Sequence, residues 1–236
     1  SRQLRAVVGA VSPHPGDGWM NWLERIDLYC ERTGPELWSE PLNALSNLAF
    51  IGVAALLWRR AGGRHSSADI RLLLALIAAV GLGSLVFHTV ATRWAALLDI
   101  GFIALFVLVY HQRFQVRLLG KSPAAGWRGV GAFVLLAVLF GAATRLLPPM
   151  ALNGSDAYLP PFALLLVCAR QARGRAPQTA RWLKLAGALF LVSITCRAID
   201  QAICPAWPLG SHFGWHLVNA AMLYSCLRGL LAAGRA

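Results

Sequence analysis

Long apolar runs separated by short polar connections dominate the pattern of residues along the chain. Seven such runs follow a polar N-terminal segment, residues 1–41. They cover residues 42–58, 72–91, 94–111, 129–147, 155–169, 182–203 and 208–230. Because a helix of about 20 apolar residues spans the hydrocarbon core of a bilayer, the pattern predicts seven transmembrane helices. We therefore divide the chain into an extracytoplasmic N-terminal segment, 1–41, and a seven-helix domain, 42–236.

The N-terminal segment contains a short amphipathic pattern ahead of the first run. The apolar residues Trp19, Trp22, Leu23 and Ile26 recur at the spacing of one helical face. An apolar face that carries tryptophan beside a polar face is typical of a helix that lies flat in the membrane interface. We therefore expect an N-terminal interfacial helix, with the acidic residues of this segment in water.

The composition also favours a membrane protein. Apolar residues make up 57% of the chain and charged residues only 14%, whereas soluble domains carry about 25% charged residues. The net charge of +12 raises the question of nucleic-acid binding. However, the Lys and Arg residues form short clusters between the apolar runs and no single basic stripe, so nucleic acid is not an expected partner.

The positions of the basic residues predict the orientation of the helices. The connections after the first, third and fifth runs each hold at least four Lys or Arg residues, and the other connections hold at most one. Because cytoplasmic connections carry an excess of Lys and Arg, these basic connections and the C-terminus are predicted to face the cytoplasm. The N-terminus then lies outside, and we expect an all-α, multi-pass integral membrane protein with a seven-transmembrane helix bundle.

Five of the polar residues inside the apolar runs are candidates for function, because a polar or ionisable side chain there is costly. They are Ser84 and His88 in the second run, Asp99 in the third, and His212 and His216 in the seventh. With the predicted orientation, each lies close to the outer end of its helix. We therefore expect all five in one layer near the outer leaflet, on the periplasmic or luminal side.

The spacing of the histidines predicts a metal site in this layer. His212 and His216 are four residues apart, so both imidazoles lie on one helical face, as in helical zinc motifs. His88 completes three protein ligands and leaves a fourth position for water, which is the arrangement of a catalytic zinc. Asp99 is then the expected proton acceptor, and Ser84 the expected donor to a developing oxyanion. A proton relay or a polar packing network is the alternative for the same residues.

Two further expectations concern glycines and the remaining histidines. Gly81 and Gly83 are expected to permit close approach of neighbouring helices. The other histidines, His14, His65 and His111, lie in the N-terminal segment or at the edges of connections. We expect these three side chains in water.

Four stretches together resemble the alkaline ceramidases, which belong to a larger group of seven-helix membrane hydrolases that includes the adiponectin receptors. They are Tyr29-Cys30-Glu31, Glu40-Pro-Leu-Asn43-Ala-Leu-Ser46-Asn47, Gly83-Ser84-Leu-Val-Phe-His88 with Asp99, and His212-Phe-Gly-Trp215-His216. The resemblance implies a zinc-dependent amide hydrolase that cleaves the N-acyl bond of ceramide, or of a ceramide-like lipid, to a sphingoid base and a fatty acid. It also implies that His88, His212 and His216 bind zinc and that Ser84 and Asp99 are catalytic.

The resemblance further implies a disulfide. Cys30 and Cys204 match a cysteine pair that is bonded in the family. Both lie on the predicted outer side of the membrane, where oxidation is allowed. The alternative is a pair of free thiols.

The resemblance also implies calcium. Glu31 and Glu40, with Asp27 nearby, match acidic residues that bind calcium in the family, and carboxylates suit this hard cation. Asp27 is one position out of register, however, and Thr33 stands where an amide side chain is expected. The alternative is an acidic interfacial segment whose charges face water.

Other functions fit the same pattern of residues. One is a receptor-like or signalling protein of the same fold, in which zinc is structural. Another is a transporter or proton-coupled carrier, in which Asp99 and the histidines relay protons. A third is a hydrolase of another N-acyl lipid. In the hydrolase interpretations the expected partners are a membrane lipid substrate and the bilayer itself.

Overall fold

The computed structural model describes residues 21–146 and 152–233, and this part of the chain consists of helices joined by short connections. The α-helices, in chain order, are α1 (Pro41–Ser46), α2 (Leu48–Arg60), α3 (Ala68–Val90), α4 (Arg93–Arg117), α5 (Pro123–Thr144), α6 (Leu159–Ala172), α7 (Pro177–Ile203) and α8 (His212–Ala233). Short 3₁₀ helices, Gly63–His65 and Ser155–Tyr158, precede α3 and α6. Because α1 and α2 are separated only at Asn47, each predicted apolar run corresponds to one helical segment; position 147, which ends the fourth run, lies outside the described residues.

Several helices extend beyond the apolar runs because polar residues at their ends find partners. The fourth helix continues to Arg117, whose guanidinium forms an ion pair of 2.6 Å with Asp69 in the first turn of α3. The fifth helix begins earlier than its apolar run, at Pro123. There the Ser122 side chain accepts a hydrogen bond from the backbone N–H of Ala125, which caps the helix.

Five helical segments of the described residues are long and apolar enough to cross a membrane. They are Pro41–Arg60, Ala68–Val90, Arg93–Arg117, Pro123–Thr144 and Pro177–Ile203. The helix α6 has only 14 residues. The 22-residue helix α8 carries His212, His216 and Asn219, polar side chains that lower its mean hydropathy.

The outer surface of α5 shows the membrane character of the fold most directly. Val134, Leu135, Leu136, Val138 and Leu139 are all exposed on this helix. A continuous apolar surface of this kind is unfavourable in water, whereas in a bilayer it faces lipid chains. Together with the five apolar spans, this surface indicates a membrane protein.

Two glycines bring α3 close to its neighbours, as predicted. A Cβ atom on Gly81 would lie 2.8 Å from the Phe50 Cβ atom on α2 and 2.9 Å from the backbone oxygen of Asn47, between α1 and α2. A Cβ atom on Gly83 would lie 2.8 Å from the Phe102 ring on α4. Both glycines are therefore packing residues that let α3 approach α2 and α4.

The N-terminal segment differs from its prediction. Residues 21–40 form no helix; instead, the backbone N–H of Ile26 donates to the Ala91 carbonyl at 2.8 Å, and that of Arg93 donates to the Glu24 carbonyl at 3.0 Å. The prediction of an interfacial helix is therefore wrong for Trp22, Leu23 and Ile26, whereas Trp19 lies outside the described residues. The cause is the two-residue turn between α3 and α4, which offers backbone groups to an extended chain while Ile26 is buried beside it.

Candidate metal centre

Three histidines meet at one end of the bundle. His88 lies in the last turn of α3, and His212 and His216 lie in the first two turns of α8. Each offers a ring nitrogen within 4.8 Å of those of the other two, and all three side chains are buried. The described residues contain no second such group of histidine, cysteine or acidic side chains. The three histidines predicted as metal ligands are therefore brought together.

The ring of His88 is held by a carboxylate. Its Nδ1 atom lies 2.6 Å from Oε2 of Glu40, and Glu40 also accepts a hydrogen bond of 3.0 Å from the side-chain amide of Asn43. Burial alone would raise the pKa of Glu40, but the hydrogen bonds from His88 and Asn43 and the positive charge of the nearby Arg32 lower this pKa. An ionised Glu40 accepts a hydrogen bond from Nδ1–H of His88. The Nε2 atom of His88 then carries the lone pair that can bind a metal.

The ring of His216 is held by a hydroxyl in a similar way. The Ser46 hydroxyl, at the end of α1, lies 2.8 Å from His216 Nδ1 and donates to the Asn43 carbonyl at 2.9 Å. Because its hydrogen is used by that carbonyl, the Ser46 oxygen acts as the acceptor for Nδ1–H. The Nε2 atom of His216 then carries the lone pair that can bind a metal, and Ser84 Oγ lies 3.5 Å from it.

The position of His212 is set through its backbone and its ring face. Oδ1 of the buried Asp200 accepts hydrogen bonds from the backbone N–H groups of Ser211 at 2.7 Å and His212 at 2.9 Å. A carboxylate at this point satisfies two unpaired N–H groups at the start of α8. Tyr29 from the N-terminal segment stacks on the His212 ring, with 3.5 Å between ring centroids.

The donor atoms fit a metal ion. His88 Nε2 and His212 Nδ1 are buried and have no hydrogen-bond partner in the described residues. Buried nitrogen atoms without partners are costly, and metal-ligating histidines commonly donate their other ring N–H to a carboxylate, carbonyl or water. Three convergent imidazoles, two of which have their second ring nitrogen held in this manner, match the ligand set of zinc.

The two residues predicted as catalytic border the histidine cluster. Ser84 lies one turn before His88 on α3, and its Oγ atom is 3.5 Å from His216 Nε2. The Asp99 carboxylate, on α4, is close enough to Ser84 and His88 to interact with both. All five residues of the predicted polar layer therefore surround one place in the bundle.

Two cavities meet at Asp99. A narrow cavity of about 90 Å³ runs from Ser84 and His216 to Tyr110 and Cys226, deep in the bundle. A wider cavity of about 620 Å³ lies between α4, α5 and α6. Their shared lining consists of Asp99, Ile103, Val107, Tyr158 and Pro161. Polar residues also line the cavities, among them His111 and Asn219 in the narrow cavity and Arg197 in the wider one, but most of the lining is apolar or aromatic, which suits a lipid chain.

The acidic residues predicted to bind calcium lie beside the histidine cluster. The two carboxylate oxygens of Glu31 accept the backbone N–H groups of Leu42 at 2.7 Å and Asn43 at 2.8 Å. Burial raises the pKa of Glu31, and these two N–H donors only partly offset that rise. Glu40 holds His88, and Asp27 is exposed. The calcium site stays a prediction.

The predicted disulfide is confirmed. Cys30 and Cys204 are bonded, with 5.5 Å between their Cα atoms and a sequence separation of 174 residues. The bond joins the N-terminal segment to the end of α7. Because Tyr29 directly precedes Cys30, the bond also holds the Tyr29 ring against His212.

Sequence reasoning missed four residues that shape the centre. Asp200 and Arg197 are ionisable residues of the sixth apolar run, 182–203, but spacing along the chain does not predict their neighbours. In the structure Arg197 lies over the faces of the Tyr29, Tyr158 and Trp215 rings. Ser46 belongs to one of the four stretches that carry the resemblance, but its contact with His216 was not predicted, and Arg32 gave no signal of its own. The expectation for His111 was wrong, since this side chain is buried.

A comparison with protein families decides the relationship that the four stretches suggest. The family model described as Ceramidase matches residues 29–230. The chain belongs to the ceramidase family. The match extends from the segment that carries Tyr29 to the last helix, so it includes every residue of the centre. Comparison with individual curated proteins gives no match. Membership in the ceramidase family implies an amide hydrolase that acts on a lipid.

Proposed function

We propose that this member of the ceramidase family is a zinc-dependent intramembrane amidase. It hydrolyses the N-acyl bond of ceramide or a ceramide-like lipid to a sphingoid base and a fatty acid. The observation that carries the proposal is the convergence of three buried imidazoles, two with partnerless nitrogens, at a cavity lined by Ser84 and Asp99. His88, His212 and His216 are the proposed zinc ligands.

Each residue of the centre has a separate task in the reaction. Zinc, when bound, lowers the pKa of its water and polarises the amide carbonyl. The Asp99 carboxylate accepts the proton of the attacking water and delivers it to the amide nitrogen as the C–N bond breaks. The Ser84 hydroxyl donates to the carbonyl oxygen as negative charge develops there. The products are a free amine and a fatty acid.

The cavities accommodate the two hydrocarbon parts of such a substrate. Between Asp99 and Tyr110 the narrow cavity follows α4 for about 17 Å, given the rise per residue of a helix. An acyl chain in this cavity places its amide carbonyl beside Ser84 and His216. The wider cavity, bounded by α5 and α6, receives the remainder of the lipid and provides a route from the bilayer.

The proposal includes the arrangement in the membrane. We assign seven membrane helices, with α6 and α8 added to the five long apolar spans, because both belong to the same bundle and α8 carries two of the ligands. The basic connections predict that the C-terminus is cytoplasmic. The metal centre then lies near the outer leaflet.

A lipid assay with metal analysis tests the proposal. The protein, purified in detergent, is incubated with ceramides of several acyl lengths and with other N-acyl lipids, and released fatty acid is measured by mass spectrometry. We expect release of fatty acid from ceramide, one zinc per molecule, and loss of both activity and zinc on chelation. Release from a different N-acyl lipid alone would change the substrate. Stoichiometric zinc without hydrolysis of any lipid would favour a receptor-like protein with structural zinc.

A further inference from the structure

Arg32 lies between the N-terminal segment and the metal centre. Its side chain is buried, and its Nε atom forms an ion pair with the Glu40 carboxylate. Its Nη2 atom donates to the backbone carbonyl of His88 at 3.1 Å, and Nη1 donates to the carbonyl of Gly34 at 3.0 Å. One guanidinium therefore contacts both the residue that holds the His88 ring and the backbone of His88 itself.

This arrangement gives Arg32 a direct influence on the orientation of His88. Glu40 uses Oε1 for Arg32 and Oε2 for His88 Nδ1, so the guanidinium fixes the carboxylate that fixes the imidazole. The planar fork of an arginine suits such a role because several of its N–H groups donate in fixed directions. Partners that orient a metal-ligating histidine affect metal affinity even though they do not touch the metal.

The same contacts conflict with calcium at these carboxylates. Calcium takes six to eight oxygen ligands. Here both oxygens of Glu31 accept backbone N–H groups, and both oxygens of Glu40 have side-chain donors. A calcium ion at Glu40 would also lie beside the guanidinium of Arg32, and two like charges at such short distance repel each other. These residues do not fit a calcium ion.

We propose that Arg32 is a positioning residue of the metal centre. Its guanidinium places a fixed positive charge beside Glu40, in the position that a calcium ion bound to Glu40 would take. Through Glu40 it also orients His88. The centre consequently works without calcium. This inference rests on the proposed function for the identity of the metal, since His88 is taken as a zinc ligand.

The first test measures zinc affinity by competition with a chromophoric chelator, on purified full-length protein. For Arg32→Ala we expect zinc affinity to fall by about 10- to 100-fold, the usual effect of removing a group that orients a ligand. Arg32→Lys keeps the charge and should recover part of this loss. Arg93→Ala is the matched control, because Arg93 is also a buried arginine that ties the N-terminal segment down, through a 2.7 Å ion pair with Glu24. It should leave zinc affinity unchanged.

The second test concerns calcium. We expect the melting temperature and the rate of hydrolysis of the wild-type protein to be the same in excess calcium and in a calcium-selective chelator. An increase of either quantity with calcium would overturn the inference. Wild-type zinc affinity in the Arg32→Ala protein would also overturn it, as would an equal loss of zinc affinity in the Arg93→Ala protein. A protein that binds zinc but hydrolyses no lipid would overturn the proposed function instead, and the zinc measurements would still judge Arg32.

Discussion

The buried histidines of the described residues form two groups that differ in what surrounds their ring nitrogens. At the metal centre, Nε2 of His88 and Nδ1 of His212 have no hydrogen-bond partner, and Nε2 of His216 has a long contact of 3.5 Å with Ser84 Oγ. His111, twelve residues after Asp99 on α4, has both nitrogens occupied: Nε2 lies 3.0 Å from the Gln115 amide, and Nδ1 lies 4.0 Å from Cys168 Sγ. We therefore expect the isolated His111 to stabilise packing, whereas three histidines that converge on one place can share a metal ion.

The side chains that surround the metal centre and those that surround His111 differ in the same way. Around the metal centre, Glu40 and Ser46 each hold one ring from the side away from the cluster, so the free lone pairs point towards each other. Around His111, Gln115 also donates to the Gly126 carbonyl at 3.1 Å, and the Lys121 ammonium donates to Gln115 Oε1 at 2.8 Å. These bonds join α4 to α5 and close the network. We therefore expect the buried polar residues to serve chemistry at one end of the bundle and helix association at the other.

The largest expected effect separates the two groups directly. His216→Ala should remove zinc and reduce lipid hydrolysis by on the order of 10³ or more, because a metal contributes several kcal/mol to such a reaction. His111→Ala should keep the full zinc content. Zinc per molecule is measured by plasma mass spectrometry, together with fatty-acid release. If His216→Ala keeps both zinc and activity, the assignment of the site is wrong.

The next effect distinguishes the proton acceptor from the metal ligands. Asp99→Asn should lower the rate by about 10²- to 10⁴-fold, the typical contribution of general acid–base catalysis. Zinc content should stay at the wild-type level, because Asp99 lies beside the cluster and is not a proposed ligand. Asp69→Asn is the control: this aspartate also lies in a membrane helix but pairs with Arg117 at the other end. Equal losses in both variants would argue against a chemical role for Asp99.

A smaller effect tests the groups that hold the rings. Glu40→Gln removes the charged acceptor of His88 Nδ1, and we expect zinc affinity to fall by about 10- to 100-fold. Gln115→Ala removes the corresponding partner of His111 and should leave zinc affinity unchanged. Competition titration measures both. Unchanged affinity in Glu40→Gln would show that the carboxylate serves the fold alone.

Most of the fold was predictable because apolar runs in a membrane are long and their ends are marked by charge. The five residues of the polar layer were predictable for a related reason, since an ionisable side chain inside such a run is rare. The interfacial helix was not, because residues 21–26 bond to the turn between α3 and α4. A bond to a distant backbone group leaves no periodic signal in the sequence.

The groups that hold the histidines were beyond prediction for a different reason. Arg32 and Ser46 are common residue types in positions without unusual spacing, and their roles depend on contacts made across the bundle. For His111 the pattern did give a prediction, a side chain in water, and that prediction was wrong. It stands at the polar edge of its apolar run, but α4 continues past it to Arg117, so the side chain is buried against α5 and α6.

The smallest expected effects concern stability at the two ends of the molecule. The disulfide ties the N-terminal segment to α7 across 174 residues, and its removal in a Cys30→Ser, Cys204→Ser double variant should cost about 2–4 kcal/mol of stability. The ion pair between Asp69 and Arg117 is partly exposed, so Asp69→Asn should cost at most about 1 kcal/mol. Melting temperatures in detergent compare the two variants.

Because the disulfide keeps Tyr29 on the ring of His212, its loss should also weaken zinc binding, whereas Asp69→Asn should not. A double variant that melts lower yet binds zinc normally would show that the N-terminal segment stabilises the bundle without positioning the ligand.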